Sequence, residues 1–247
     1  MAKFRIDAKE FQEFLSKVHL NGLVFDCVIA VEKGRLVATG LDIAKSIYFH
    51  IAKEAKVISA GELVLGNIAV FLKILSRFDG TVEISTDKKL IRVKRKNKIG
   101  TFEAVDKKAI DSYSKAGAIS VGKDFVKTPT LKLKYKTNRF TLDSQELASL
   151  VGDADILDEH IYYIEVDRDK SIRLRVKKGR NTFVTKVTPE KQDIRKAMIA
   201  CFGHGVKEIF STVSGEVKIF VEPDPPMLIR FGPKYNSLYL IMTREET

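Results

Sequence analysis

The sequence predicts an α+β protein in which one unit, a strand, a short helix and three further strands, occurs four times along the chain. Three observations support this prediction. Apolar residues recur at helical spacing in four short segments, each segment follows a short strand, and each is followed by stretches that alternate with period two. Because one helix cannot bury the face of such a unit alone, the units are expected to pair into two similar domains.

The first unit begins with a strand over Lys3–Ile6 and a helix over Ala8–Val18. The helix has apolar residues at positions that share one face, which predicts that this face is buried. These residues are Phe11, Phe14, Leu15 and Val18. Gly34 marks a turn between the strands that follow. Those strands are predicted over Leu23–Val31, Arg35–Leu41 and Ser46–Ala52.

The second unit begins with a strand over Glu62–Leu65 and continues with a helix over Asn67–Phe78. The buried face of this helix is predicted from the same spacing of apolar residues, at Ile68, Phe71, Leu72 and Leu75. Three strands complete the unit, over Thr81–Thr86, Lys89–Lys94 and Gly100–Val105.

The third unit starts with a strand over Arg139–Leu142, and Asp143 or Ser144 is suited to cap a helix over Gln145–Asp153. Its strands are predicted over Tyr162–Asp167, Ser171–Val176 and Asn181–Val187.

The fourth unit starts at Met198–Phe202 and has a helix over Val206–Val213, ended by Gly215. Its remaining strands are predicted over Glu216–Val221, Met227–Phe231 and Ser237–Met242.

A long stretch without a helix pattern separates the second unit from the third. It contains Gly117, Gly122 and Pro129, and it is longer than connections inside one compact domain usually are. We therefore predict an N-terminal domain over residues 1–106, a connecting segment over 107–136 and a C-terminal domain over 137–247.

The charge of the chain favours a polyanionic partner. Lys and Arg number 43 against 32 Asp and Glu, which gives a net charge of +11 and an isoelectric point near 9.5. Released counterions drive such a protein toward phosphates. The run KKLIRVKRKNK, over Lys88–Lys98, is the densest basic segment. A solvated hairpin tip explains that run equally well.

Other classes of protein are disfavoured by what the sequence lacks. No apolar stretch has the length of a membrane span, and the N-terminus has no apolar signal core, so the chain is expected to stay in the compartment where it is made. Cys27 and Cys201 stand in apolar segments, without disulfide or metal spacing.

No catalytic signature is present. The four histidines are scattered, and neither a nucleophile–histidine pattern nor a phosphate-binding glycine loop occurs. His204 stands between two glycines, a context that favours a turn contact. We therefore predict no catalytic residue, no cofactor and no metal site.

Three segments carry a resemblance to a known family. They are LVATGLDIAKSIYFHI, in which Asp42 follows Leu41, then GELVLGNIAVFLKILSRFDGTVEIS, and then PPMLIRFGPKYNSLYLIMTREE at the C-terminus. Together with the four-unit layout, they resemble the DNA sliding clamps of the proliferating cell nuclear antigen (PCNA) type, in archaeal or phage-like form. The resemblance covers nearly the whole chain.

The resemblance implies two clamp domains, each made of two β-α-β-β-β units, with helices on the inner face of a ring and antiparallel sheets outside. It implies a homotrimer in which Thr101–Val105 of one subunit pairs with Asn181–Val187 of the next. Pairing between copies would remove exposed strand edges. The apolar residues expected at this subunit interface are Phe102, Val105, Phe183, Val184 and Val187.

The resemblance also implies a function, that of a processivity factor that encircles double-stranded DNA without reading its sequence. Loose phosphate contacts permit sliding. The expected DNA-binding residues are Lys9, Lys17, Lys73, Arg77 and Lys207 on the helices, and Lys89, Arg92 and Lys94 in the basic run. The third helix region departs from this pattern because it is acidic, with Glu146, Asp153 and Asp155.

Clamps of this family bind clients through short peptides, so DNA polymerase, a clamp loader and other replication or repair proteins are implied partners. The implied compartment is the cytoplasm of an archaeal or virus-infected cell, or the nucleus of a eukaryote. Carried over by position, the partner-peptide groove would be formed by Leu41, Tyr48, Phe125, Val126, Pro225, Pro226, Ile241 and Thr243.

One alternative stays open, a basic β-rich nucleic-acid-binding protein that acts as a monomer or dimer without encirclement. Such a protein would need exposed aromatic residues for base stacking. Most aromatic residues here instead fall in the apolar stripes. Membership of a heterotrimeric ring is also left open.

Overall fold

A computed structural model describes residues 1–87, 90–110, 120–121, 125–127, 132–135, 138–222 and 226–242, with backbone only for 120–121, 125–127 and 132–134. The chain forms two compact units, Met1–Gly117 and Ala118–Thr247. The boundary lies inside the predicted connecting segment, and the exact domain limits stay a prediction.

The described residues of unit 1 form two α-helices and nine strands. The helices are α1 (Ala8–His19) and α2 (Ile68–Leu75). The strands are β1 (Lys3–Asp7), β2 (Cys27–Glu32), β3 (Arg35–Leu41), β4 (Ile47–Glu54), β5 (Lys56–Ser59), β6 (Gly61–Leu65), β7 (Thr81–Thr86), β8 (Leu90–Arg95) and β9 (Lys98–Glu103). One-turn 3-10 helices occur at Leu20–Gly22 and Lys107–Ala109.

The two repeats of unit 1 exchange their first strands. Strand β1 opens the first repeat but pairs with β7 of the second, in the order β5-β1-β7-β8-β9. Strand β6 opens the second repeat but pairs with β2 of the first, in the order β4-β3-β2-β6. All these pairs are antiparallel. Because each repeat completes the sheet of the other, neither sheet could form from one repeat alone.

Aromatic contacts join the two repeats beneath these sheets. The ring centroid of Phe11 on α1 lies 5.5 Å from that of Phe4 on β1 and 6.2 Å from that of Phe71 on α2. All three side chains are fully buried. The helices α1 and α2 thus pack together over one face of the sheets.

Unit 2 has the same design. Its helices are α3 (Ser144–Leu157) and α4 (Val206–Thr212). Its strands are β10 (Ser120–Val121), β11 (Phe125–Lys127), β12 (Lys132–Lys134), β13 (Asn138–Asp143), β14 (Tyr162–Val166), β15 (Ile172–Lys178), β16 (Asn181–Val187), β17 (Lys191–Asp193), β18 (Met198–Phe202), β19 (Glu216–Val221), β20 (Met227–Phe231) and β21 (Ser237–Ile241). A 3-10 turn lies at Pro233–Tyr235.

The strand exchange recurs in unit 2. Strand β13 opens the third repeat and pairs with β19 of the fourth, in the order β17-β13-β19-β20-β21. Strand β18 opens the fourth repeat and pairs with β14 of the third, in the order β16-β15-β14-β18. The predicted repeat is therefore confirmed as the structural unit. The strands β10, β11 and β12 form a separate small antiparallel sheet.

Three of the four helices begin at a side-chain cap. Asp7 accepts hydrogen bonds from the backbone N–H groups of Lys9 and Glu10, at 2.9 and 3.3 Å. Asn67 caps α2 and Asp143 caps α3 in the same way. Helix α4 instead follows Gly205, whose φ of 76° is left-handed, and it has no side-chain cap.

Several predicted boundaries were wrong for local reasons. Helix α2 ends at Leu75, because the next turn has the hydrogen bonds of a 3-10 helix. The backbone N–H of Arg77 donates to the Ile74 carbonyl, and that of Phe78 donates to the Leu75 carbonyl. Helix α3 continues through Gly152 to Leu157 and ends where Asp158 turns left-handed. The short edge strands β5 and β17 were not predicted.

No helix in the described part of the chain is long and apolar enough to cross a membrane.

Candidate nucleic-acid and subunit-association surfaces

The outer face of α1 carries mixed charge. Phe11, Phe14 and Leu15 point into the core, and Lys9 is exposed on the opposite side. Lys17, the second predicted DNA contact on this helix, is half-buried, and its desolvation lowers its pKa despite the nearby Glu13 carboxylate. Lys9 is therefore the more accessible of the two cations.

Helix α2 and the turn that follows it present two exposed cations. Phe71 and Leu75 are buried, whereas Lys73 on the helix and Arg77 in the following turn are exposed. Neither cation has a salt bridge within the described residues. Both predicted DNA-binding residues are thus placed where a phosphate could reach them.

The helices of unit 2 carry less usable positive charge. Lys207 at the start of α4 donates a 2.6 Å hydrogen bond to the Asp155 carboxylate on α3, and this hydrogen bond raises its pKa. The exposed positions of α3 hold no cation: Ser149, Gly152 and Ile156 are uncharged, with Ile156 73% exposed, and the exposed Asp155 is acidic. The acidic character of this region therefore neutralises the one cation predicted here.

Arg92 and Lys94 lie on the sheet face that points away from the helices. Residues paired across antiparallel strands share a face. Val93 pairs with Ile84, and both belong to the buried face that packs under α1, whereas Lys94 pairs with Glu83 on the other face. Arg92 also forms a 2.8 Å salt bridge with Asp87. Side chains alternate between the two faces along a strand, so Arg92 and Lys94 point to the face opposite the helices. The prediction that these two residues act together with the helix cations is therefore not supported. Lys89 lies outside the described residues.

Two edge strands, β9 and β16, contain residues of the predicted subunit interface. Strand β9 is the outer strand of its sheet in unit 1, and β16 is the outer strand of its sheet in unit 2. Phe102 on β9 is half-buried against Phe71, with ring centroids 5.4 Å apart, and Val105 is half-buried just beyond the strand. On β16, Phe183 is half-buried and Val184 is 48% exposed.

Val187 differs from the other predicted interface residues. It is 3% exposed, because its side chain packs into the core of unit 2 opposite Ile172 on β15. It cannot offer surface to another copy.

The predicted partner-peptide residues fall into three groups. Leu41 is half-buried at the end of β3. Tyr48, Pro226 and Ile241 are buried, and the Pro226 carbonyl accepts a 2.7 Å hydrogen bond from the Tyr135 hydroxyl. The side chains of Phe125 and Val126, and all of Pro225 and Thr243, lie outside the described residues, so a groove formed by these residues stays a prediction.

Sequence reasoning missed a groove between α2 and β9. It has a volume of about 330 Å³, and its walls include Ile74, Phe78 and Ile99 beside the cations Lys98 and Arg77. A Cβ added to Gly100 would lie 3.0 Å from the Ile74 side chain, so a larger residue here would require the Ile74 side chain to shift. A glycine inside a strand pattern is the sequence signal that could have indicated it.

In the described part of the chain, no three His, Cys, Asp or Glu side chains converge as metal ligands do. His204 is exposed at the turn before α4.

No family model matches the sequence, and no curated protein matches it. Solved structures do match over the whole chain. A structure of A. fulgidus PCNA bound to the C-terminal region of FEN-1 has a TM-score of 0.79 at 13% identity, and 100% of both chains is covered. PCNA from Entamoeba histolytica has a TM-score of 0.75 at 13% identity, with 99% of both chains covered.

The DNA polymerase sliding clamp from Bacillus subtilis is also similar, with a TM-score of 0.74 at 14% identity. All of this chain aligns with 65% of that longer chain. The identities are low, but the agreement extends through both units. This chain therefore has the fold of the DNA sliding clamps.

Proposed function

We propose that this chain is a subunit of a DNA sliding clamp, which assembles as a homotrimer into a ring that surrounds duplex DNA and tethers a DNA polymerase. The observation that carries the proposal is the full-length match of both units, with their exchanged strands, to sliding clamps. The chain acts as a scaffold and catalyses no reaction.

Two of the sheet edges, those of β9 and β16, support ring formation. An open edge with exposed apolar residues invites another strand. Strand β9 presents one such edge with Ile99, 58% exposed, and β16 presents the other with Val184. The two edges belong to different surfaces, so their pairing is head to tail, and a head-to-tail contact closes into a ring when the rotation permits.

The exposed helix cations support a loose hold on DNA. Lys9, Lys73 and Arg77 contact phosphates, and such contacts are independent of sequence and sensitive to salt. Encirclement keeps the ring on DNA, so these contacts need only guide the duplex. Because the outward face of α3 carries no cation, the hold is concentrated on unit 1.

Clients are proposed to bind through short peptides. The A. fulgidus PCNA structure contains the C-terminal region of FEN-1. By analogy, a polymerase, a clamp loader and repair proteins dock such segments on this chain, with Leu41 as the accessible member of the predicted groove. Phe125 and Val126 are proposed to complete that groove.

The deciding experiment compares closed circular DNA with the same DNA after linearisation. The protein is loaded, passed through a sizing column in moderate salt, and its retention on DNA is measured. A clamp stays on closed circles and runs off linear ends, and blocking both ends with bulky protein restores retention. The mass in solution, measured by sedimentation equilibrium, is expected to be that of about three chains.

The same experiment tests the alternative, a basic nucleic-acid-binding protein that works without encirclement. Equal retention on circular and linear DNA, together with a stable monomer or dimer that binds short duplexes tightly, would favour that alternative. It would also exclude the ring.

A further inference from the structure

The face of the unit 1 sheet that points away from α1 and α2 carries a regular array of cations. The pairing register of β1, β7 and β8 places six side chains on this face in two rows. One row is Lys3, Ser85 and Arg92, and the other row is Arg5, Glu83 and Lys94. This outer grid therefore has a cation at each of its four corners.

Strand alternation keeps the outer grid on the surface. Phe4, Ile84 and Val93 stand between grid positions along their strands and are fully buried on the helix side. The exposed Lys56 on the edge strand β5 pairs with Arg5 and adds a fifth cation. A recess of about 560 Å³ continues the grid toward the β8–β9 turn, where Lys96 is exposed.

The carboxylates that bind these cations do not balance them. Glu83 forms salt bridges with both Lys3 and Arg5, each at 2.8 Å. Asp87 forms a 2.8 Å salt bridge with Arg92. Lys56 and Lys94 have no salt bridge to any residue that the structure describes. Five cations thus share two carboxylates, and the contacts proposed for the helices leave this excess positive charge unused.

The composition of the outer grid distinguishes between possible acidic partners. None of its six side chains is apolar or aromatic. Peptides dock through apolar anchors, and single strands of nucleic acid stack their bases on aromatic rings. A phosphate backbone needs only cations and hydroxyl groups. Ser85 supplies a hydroxyl group between Lys3 and Arg92, so a phosphate backbone fits best.

The spacing of the cations fits the two backbones of a duplex. Strand β7 lies between β1 and β8, so the cations of these two strands are separated by two strand spacings, about 10 Å. The minor and major grooves of B-form DNA are about 6 Å and about 12 Å wide. The cations of β1 and β8 can therefore contact the phosphates on either side of one groove, while Glu83 faces the groove between them.

We propose that the outer grid binds the phosphate backbones of a second DNA duplex. This rests on the proposed clamp, because a ring whose helices surround one duplex leaves the opposite face of the sheet open to another. The first duplex is held by encirclement. The second is held by salt-sensitive phosphate contacts that do not read sequence.

A capture assay on loaded rings tests this second site. The protein is loaded on closed circular DNA, separated from unbound protein on a sizing column, and mixed with a short fluorescent duplex. Because the circle already occupies the hole, only an outer surface can retain the labelled duplex. Retention is expected for the wild type, and it should decrease as salt is raised.

Lys56→Ala with Lys94→Ala removes the two cations without a salt bridge, so no carboxylate loses its partner. At about 0.1 M salt this variant is expected to capture the duplex at least about tenfold more weakly. The slope of log K against log salt should become shallower by about 1.8, or about 0.9 for each lost contact. The variant ring is expected to stay on circular DNA as the wild type does, because encirclement holds it.

Lys33→Ala with Lys177→Ala is the matched control. It removes the same charge from exposed positions outside the outer grid and is expected to capture the duplex as the wild type does. Thermal unfolding of both variants separates lost binding from lost folding.

Several results would overturn the second site and leave the proposed clamp standing. Rings that stay on circular DNA but capture no duplex show that the outer grid does not bind DNA. Equal capture by the grid variant and the control variant places the duplex on another surface. Preference for a single strand, or binding of a polyglutamate peptide without capture of duplex, assigns the grid to a different partner.

Failure of the proposed clamp is distinguishable from these results. A wild-type chain that is not retained on circular DNA removes the ring, and fluorescence anisotropy of the free chain then tests the outer grid alone. The shallower salt slope of the Lys56 and Lys94 variant is still expected there. An unchanged slope would overturn the second site as well.

Discussion

The two units of this chain share one architecture and differ in the charge of their helix surfaces. Both exchange the first strands of their repeats, and both pack two helices over the sheets. In unit 1, Lys73 on α2 and Arg77 in the turn that follows it are exposed, without an acidic partner among the described residues. On α3 of unit 2, the exposed positions carry no cation, and Asp155 neutralises Lys207 of α4.

This difference in surface charge shows which positions of the sequence are constrained by the fold and which can vary without changing it. Buried positions on the helices are fixed by the core, so Phe71 in unit 1 and Phe210 in unit 2 are both large, apolar and fully buried. Outward positions are constrained only by solubility and by partners. The repeats could therefore diverge in charge while their cores stayed equivalent.

The largest expected effect tests whether the two cores are equivalent. Phe71→Ala removes a ring that packs on Phe11 and Phe102, and Phe210→Ala removes the ring that packs on Tyr162 at 6.1 Å. Both substitutions leave cavities among fully buried side chains. Each is expected to lower the free energy of unfolding by about 3–5 kcal/mol, measured by denaturant titration.

The exposed Phe25→Ala is the matched control, since that ring is 56% exposed. Its effect is expected to be below about 1 kcal/mol. If the loss of unfolding free energy were several times smaller in one unit than in the other, the two cores would not be equivalent.

The second prediction concerns the charge difference itself. Lys73→Ala with Arg77→Ala removes two exposed cations, so the slope of log K against log salt for duplex DNA should become shallower by about 1.8, or 0.9 for each lost contact. Lys207→Ala should change that slope by less than about 0.5, because Lys207 already forms a salt bridge with Asp155. Fluorescence anisotropy across a salt series measures both slopes.

The opposite ranking would contradict the assignment of DNA contacts to unit 1. Asp155→Asn provides a complementary test, because it removes the partner of Lys207 and leaves the cation itself in place. It releases Lys207, so it is expected to strengthen DNA binding slightly while the Lys73 and Arg77 variants weaken it.

The repeat and most element positions could be predicted because they depend on local patterns. Apolar spacing located the buried faces of α1 and α2, and period-two alternation located β3, β7 and β16 with identical limits. The strand exchange could not be predicted in this way. Which sheet β1 joins depends on contacts about 80 residues away, such as the pairing of Arg5 with Glu83, and periodicity carries no such information.

The candidate surfaces were harder to predict than the fold. The cations on α2 follow from their helical position, which the apolar face already determines. Arg92 and Lys94 needed the register of β8 against β7 to reveal their face. The pairing of Lys207 with Asp155 joins residues 52 apart in sequence and required tertiary structure.

A smaller effect is expected at the helix starts, where the units can again be compared. Asp7→Ala and Asp143→Ala each remove a cap from the first helix of a unit, which is expected to cost about 1 kcal/mol. Gly205→Ala before α4 forces a left-handed φ of 76° on alanine, at a similar cost of about 1–2 kcal/mol. Denaturant unfolding of the three variants checks this ranking.

Asp7→Asn is the control that keeps a capping side chain, and it should retain most of the stability. Equal losses for Asp7→Asn and Asp7→Ala would mean that the carboxylate acts through its charge and not through the cap.

The smallest expected effect is the pH dependence of stability that Glu146 of unit 2 contributes. Desolvation raises the pKa of Glu146 above its ordinary value of 4.5, so the folded chain binds this proton more tightly than the unfolded chain does. Above the folded pKa the buried charge destabilises the fold, and as pH falls through that pKa this cost disappears. Glu146→Gln should therefore raise the unfolding midpoint slightly at pH 7, and the difference from wild type should vanish below pH 4.5. Thermal unfolding of the monomeric chain across pH measures it, with Glu13→Gln on the exposed face of α1 as the control. A Glu146 variant that loses stability at pH 7 would show that this carboxylate is held by a favourable partner within its own unit.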